Sequence, residues 1–295
     1  MVSFIKLILV LLLISPAVTL AQKSDGQKTI SILDLGKSSI AVNVAQKIRD
    51  RFHSSTEFLV ADPDLSRSAA QGTGYSGSLN MTLAEARDLG VAMATDFYIL
   101  GDAQTLRRSS SDTPVYFESY CKLFIVSSRT GRLVYWTHER ERSNSGETAE
   151  QKLLERLSAE DVFYKVKIAI RRAIEDEYQM RTNEAANTQT FEIAPDDDEA
   201  AEQNGLRLPR PFTRYRPEYT EAAASAEVEA TIDLLVEIKS DGEVAQIQVA
   251  RWAGFGLEES AIATVRKLHF FPAQRDGKAI PLRVLLRYNF RKPSS

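Results

Sequence analysis

The sequence predicts an α+β chain: two sheet-and-helix domains joined by a flexible acidic linker. Three observations carry this. Over residues 27–178, apolar runs of strand length alternate with stretches of helical periodicity. Residues 179–212 lose that periodicity and gather acidic, amide and proline residues. Residues 213–295 then alternate strictly, apolar with polar, on either side of one helical stretch.

The chain has 295 residues, 43% of them hydrophobic and 26% charged, which suits two packed cores and argues against wholesale disorder. A net charge of −3 lacks the basic footprint of a nucleic-acid binder. At the N-terminus, Lys6 precedes the apolar stretch Leu7–Ile14, Ser15 and Pro16 break it, and Thr19 and Ala21 supply small residues. This predicts a secretory signal peptide over 1–21, cut after Ala21, and a periplasmic location. The rival is an uncut anchor in the inner membrane, and membrane contact is expected only in that case. The apolar stretch is shorter than the roughly 20 residues a spanning helix needs. Cys121, the single cysteine, shares a strand side with Phe117, Leu123 and Ile125 and is read as a small buried side chain. A chain with one cysteine also avoids mispairing in an oxidising compartment.

In the first domain, Thr29–Leu35 is a strand and Lys37–Phe52 a helix with Ile40, Val44, Ile48 and Phe52 on one face. Glu57–Ala61 is a second strand, followed by a polar loop to Asn80. Thr82 caps a short helix that Gly90 is expected to end. Asp96–Asp102, Val115–Val126 and Leu133–Glu139 are strands, the last two joined as a hairpin through Ser127–Arg132. A long helix closes the domain, with Ser158 and Asp161 spaced as a capping box. The linker, 179–212, carries the acidic run Asp196–Glu199 and is expected to be disordered, spanning roughly 30–35 Å.

The second domain begins with a short helix, Tyr219–Ala226. The strand Val228–Lys239 follows, turned by Asp241–Gly242 into the return strand Glu243–Arg251. Gly254 and Gly256 break that strand, and a helix from Leu257 runs toward Pro272. After Asp276–Gly277, Ile280–Phe290 alternates again, with Leu282, Val284, Leu286, Tyr288 and Phe290 inward. These elements predict a small three-stranded sheet packed on helices. On the outer faces, Glu229, Asp233 and Glu237 match the spacing of Arg283, Arg287 and Arg291. Antiparallel neighbours would bring these charges together, each pair worth roughly 0.2–1 kcal/mol. The same pattern also suits a solvated face. If they pair, Val228–Lys239 is central and Ile280–Phe290 is an exposed edge.

On these residues the C-terminal part resembles the TonB C-terminal domain family. The ordered set is "YRPEYTEAA", the Asp-Gly hairpin, the glycine-bearing loop, "LHFFPAQRDGK" and "IPLRVLLRYNF", and it covers about 213–293. The resemblance implies a periplasmic module that grips an envelope protein, an outer-membrane receptor or assembly protein, by strand addition. The implied partner-strand residues are Ile280, Leu282, Arg283, Val284, Leu285, Leu286, Arg287 and Tyr288, and the flanking loop holds Arg251, Trp252, Gly254 and Phe255. It also leaves open the alternative of an energy transducer anchored in the inner membrane and driving outer-membrane uptake. Against that alternative, none of His53, His138 and His269 lies in the apolar N-terminal segment, and no long proline-rich spacer is present. Residues 27–178 resemble more weakly the periplasmic domains of the curli-secretion lipoprotein CsgG, the flagellar protein FlgO and the N-terminal part of TolB. The residues concerned are "ISILDL", "EFLVADPD" and "LAEARDLGVAMATDFYILGDA".

No enzyme chemistry is expected. "GTGYSG", Gly72–Gly77, satisfies a phosphate-loop pattern but stands about ten polar residues from the preceding strand, so it reads as a loop. The histidines lack metal-ligand spacing, and His138 and His269 sit among rings and are expected to pack. No cofactor and no metal are expected. Asn80-Met81-Thr82 matches a glycosylation sequon and is given no weight.

Overall fold

In a computed structural model, residues 26–109, 115–184, 191–195, 198–203 and 205–292 of the protein are described; the expected signal peptide lies outside them. The first half runs β1 (Lys28–Ile32), α1 (Ser39–His53), β2 (Phe58–Val60), α2 (Pro63–Gly72), β3 (Met81–Thr82) and α3 (Leu83–Met93). It continues through β4 (Phe97–Arg108), β5 (Tyr116–Ser127), β6 (Leu133–Ser143), α4 (Gly146–Ser158) and α5 (Glu160–Glu184). Strands β2, β1, β4, β5 and β6 lie side by side in that order. The first two pairings are parallel and the last two antiparallel.

Local chemistry explains most of the helix starts. Ser38 caps α1, and Thr82 with Glu85 forms a full capping box on α3. Several helices depart from the sequence reading. Asp62 does not end a strand into a loop; its carboxylate accepts from the N–H groups of Asp64 and Leu65, Pro63 takes the first helical position, and α2 follows. Ser158 does not cap α5; its hydroxyl donates back to Leu154, and Asp161 instead accepts from the two terminal guanidinium nitrogens of Arg156. Helix α3 also runs through Gly90 to Met93. That glycine is there for contact, since a Cβ would stand 2.5 Å from Ser128 Cα.

Successive residues of the central strands feed opposite faces, and each face has its own core. Phe97, Ile99, Leu123 and Ile125, together with Cys121, pack with α1, α4 and α5. Tyr98, Leu100, Phe124 and Val126 point the other way, toward α3 and the C-terminal half. Burial on both sides explains why Phe97–Leu100 reads as an unbroken apolar run.

The second half runs β7 (Glu192–Ile193), α6 (Asp198–Gln203), β8 (Leu206–Arg207), β9 (Arg210–Pro211), α7 (Glu221–Ser225) and β10 (Ala230–Ile238). Then come β11 (Val244–Trp252), α8 (Leu257–Val265), β12 (Phe270–Phe271), β13 (Ala273–Arg275), β14 (Lys278–Ile280) and β15 (Leu282–Phe290). The expected three strands form the centre of a wider sheet, ordered β3-β11-β10-β15-β7. Strand β3 is lent by the first half. The linker is not the disordered stretch the composition suggested, over its described residues: β8 pairs with β13, β9 with β12 and β7 with β15. Three of its apolar side chains, Phe191, Ala201 and Leu206, are buried and give those short pairings a reason to form.

The two halves share a core. Trp252 and Phe255 are 1% and 2% exposed, and they lie against Phe124 and Trp136 of the first sheet. The Trp252 indole N–H donates to the Gly131 carbonyl of the β5–β6 turn at 2.9 Å. The Asn80 side chain donates to the carbonyls of Thr231 and Trp252 and accepts from the Thr231 N–H, so it clamps the ends of β10 and β11. Truncating such an anchor costs about 3–5 kcal/mol. Trp252→Ala is therefore expected to split one calorimetric unfolding transition into two, one for each half; a single transition at an unchanged midpoint would show the halves coupled by other contacts.

Candidate functional site

Strand β10 is central, as the charge spacing suggested. Asp233 stands opposite Arg287 and Glu237 opposite Arg283. Arg287 reaches both Asp233 oxygens at 2.7 and 2.9 Å, Arg251 approaches from β11 at 3.2 Å, and Arg283 binds Glu237. Burial pushes the Asp233 carboxyl up, but the hydrogen bonds from Arg287 and Arg251 outweigh it and hold the group below its usual range. The third expected pair does not form in this ladder, which begins at Ala230; Thr231 instead donates to Asn289.

The far side of β15 is the candidate edge, and it is shorter than the sequence reading. Ile280 belongs to the β13–β14 hairpin, opposite Ala273. Leu282 and Arg283 are covered by the protein's own linker, with β7 parallel to them and the Ala194 N–H donating to the Arg283 carbonyl at 2.8 Å. Glu192 secures this strand through both oxygens to Arg275, at 2.9 and 2.6 Å. The bond from Ala194 to the Arg283 carbonyl fixes the direction of the edge groups. A residue's N–H and C=O point to the same side of a strand and alternate along it. Arg283 faces outward, so Leu285, Arg287 and Asn289 do too, while Val284, Leu286, Tyr288 and Phe290 bond β10. Leu285 is 49% exposed.

Beside this open half lies a groove of about 680 Å3. One wall is Leu286, Tyr288 and Phe290; the other is the segment 214–219 with Tyr215 and Pro217. The groove therefore offers apolar contact on the inner side of any backbone laid along β15.

The expected flanking loop is a correction. Arg251, Trp252, Gly254 and Phe255 do not face an outside partner, because the first domain occupies that side. Gly254 has a positive φ of 76°, and a Cβ there would lie 3.0 Å from Phe124 and 3.1 Å from Trp136. Behind it, the buried Glu258 carboxylate accepts from the N–H groups of Ala253 and Gly254 at 2.5 and 2.7 Å and sets the turn. Burial pushes that carboxyl up, against these bonds. The sequence held one signal for this role, two large rings flanking a glycine, but nothing local says what they pack against.

His138 sits in the same junction, with ring centroids 5.9 Å from Tyr120 and 6.2 Å from Phe255, in edge contact with both. His269 does not pack among rings; it is exposed, and its Nδ1 lies within hydrogen-bond distance of Glu243, at 3.0 Å. Among the described residues no cluster of three or more metal-ligating side chains occurs, and no helix is long and apolar enough to cross a membrane.

Residues 215–291 match the family described as Gram-negative bacterial TonB protein C-terminal. The second half carries a TonB C-terminal domain. The solution structure of the Pseudomonas aeruginosa TonB C-terminal domain is 22% identical, covering 30% of this chain and 89% of that one, with a TM-score of 0.26. Lipoprotein GNA1162 from Neisseria meningitidis is 10% identical over 50% of this chain and 99% of its own, TM-score 0.30. LpoB from Escherichia coli is 13% identical over 41% and 58%, TM-score 0.29. No curated protein matches the chain. In this chain the TonB C-terminal domain is joined to its neighbour through the loop at Trp252–Phe255, and among the described residues no strand pairs with the outer side of the distal half of β15.

Burial, and then the charges of Lys122 and Arg140, lower the His138 pKa from 6.5 to about 4. The unfolded chain thus takes up this proton first as pH falls, so folded stability drops from pH 6.5 down to about 4 and no further on this account. His138→Gln should lose less stability than the parent between pH 7 and 4.5, read from urea midpoints; equal losses would mean the ring is already charged in the fold.

Proposed function

We propose that this chain is an exported envelope protein whose TonB C-terminal domain captures an extended segment of an envelope partner as an added strand on β15. The single observation that carries this reading is β7. A short peptide segment already lies on that edge, alongside Leu282 and Arg283 and bonded to the Arg283 backbone, and among the described residues the ladder continues unoccupied beyond it. An incoming segment would bond Leu285, Arg287 and Asn289 and follow on from β7, so capture need not disturb the sheet. The family match supports the reading, as does the signal-peptide pattern at the N-terminus. The first domain acts as a mount: its β3 caps the opposite margin of the sheet at Arg251 and Trp252.

Leu285 gives a clean test, because its N–H faces the partner and not β10. Leu285→Pro removes that donor and places a ring in the path of the added strand. A photo-crosslinker at Asn289 in the intact exported chain should join an envelope protein, and Leu285→Pro should weaken capture at least ~10-fold, about 1.4 kcal/mol, with an unchanged circular dichroism spectrum. Undiminished capture by the folded variant would move the site elsewhere.

A further inference from the structure

We infer that the segment captured on β15 is acidic, with apolar residues at alternate positions and carboxylates between them. This rests on strand addition at that edge and adds the chemistry of the guest. The groove beside the open half of β15 is lined by four arginines, Arg214, Arg216, Arg287 and Arg291, and by no carboxylate. Arg287 is taken by Asp233. Arg214, Arg216 and Arg291 are exposed, and among the described residues none of them has an ion-pair partner. This sets them apart from the neighbouring cations: Arg251, Arg275, Arg283 and Lys292 each hold a carboxylate. Glu218, the one acidic residue in the segment 214–219, does not line the groove.

Three uncompensated guanidinium groups around one cleft create a field that favours an anionic guest and speeds its arrival. The open ladder selects what kind of anion. Only an extended backbone can satisfy the outward N–H and C=O groups of Leu285, Arg287 and Asn289. Side chains of such a strand alternate between faces. Those on the inner face meet Leu286, Tyr288, Tyr215 and Pro217, which suits apolar groups. Arg291 follows Arg287 on the outer face, so carboxylates between the apolar positions find a guanidinium partner there, while Arg214 and Arg216, on the wall beside Tyr215, add to the field at the groove.

The test uses the full exported chain and three labelled ten-residue peptides alternating valine with glutamate, lysine or serine, measured by fluorescence polarisation at 50 and 300 mM salt. The glutamate peptide is expected to bind at least 10-fold more tightly than the lysine peptide, with the gap narrowing at high salt. The triple variant Arg214→Glu, Arg216→Glu, Arg291→Glu should invert that order; these side chains are exposed and outside the core. Leu285→Pro should weaken all three peptides. Equal affinities for the three, all lost in Leu285→Pro, would sink the acidic preference and leave strand addition standing. Peptide binding indifferent to Leu285→Pro would sink strand addition itself. No binding of the glutamate peptide at millimolar concentration overturns this inference. So does its displacement, through the same arginines, by a single-stranded oligonucleotide or an anionic lipid vesicle.

Discussion

The insertion of Trp252 and Phe255 into the face of the first sheet is the contact on which the rest depends. The strands β4, β5 and β6 have one face packed by α1, α4 and α5; the other needs cover, and the C-terminal half supplies much of it. Phe124 stacks on Trp252 at 6.0 Å and meets Phe255 edge-on at 5.7 Å. Without that loop, Phe124 and Trp136 would face water, and a sheet with one bare apolar face is not stable alone. The two halves therefore behave as one body with a continuous core. Lys122 adds to the seam by donating to the Ala226 carbonyl at 2.8 Å, and its desolvation lowers its pKa.

That seam covers part of one margin of the C-terminal sheet. Strand β11 carries β3 over Arg251 and Trp252, beside the buried loop, so a partner cannot lengthen the sheet at those two residues without parting the halves. Strand β15 lies on the opposite margin and is capped over two residues only. An uncovered edge is a hazard for aggregation, and proteins commonly blunt one with charge. Here the outward positions Arg283 and Arg287 are cationic but held down against Glu237 and Asp233, which keeps the edge polar while leaving its backbone reachable. The ion pairs thus tie β15 to β10 without closing the margin. Strand β7 serves the same end at the start of β15, where Glu192 is locked to Arg275.

The charge ladder was legible because it is periodic. Acidic and basic residues four apart on two alternating segments meet only if those segments are antiparallel neighbours, and two of the three expected pairs do meet. Cys121 was legible for the same reason, since strand alternation put it among buried apolar residues, and it is fully buried with its thiol pKa raised. The short pairings of the linker were not legible. Two-residue strands have no period, and an acidic composition hides a buried Phe191 or Leu206. Helix α4 escaped for a different reason, its apolar positions Ala149, Leu153 and Leu157 being sparse among charges.

The sequence by itself determined the two α+β halves, the order of their main elements, the Asp-Gly turns and the register-defining charges, because each of these is written in spacing along a few neighbouring residues. Only the tertiary structure decided that the glycine-bearing loop faces inward, that the linker returns to pair with β15, and how much of that edge stays open. Those outcomes depend on which surfaces meet across long gaps in the chain, such as Trp252 with the Gly131 carbonyl, and burial of one ring against another distant in the chain leaves no local period to read.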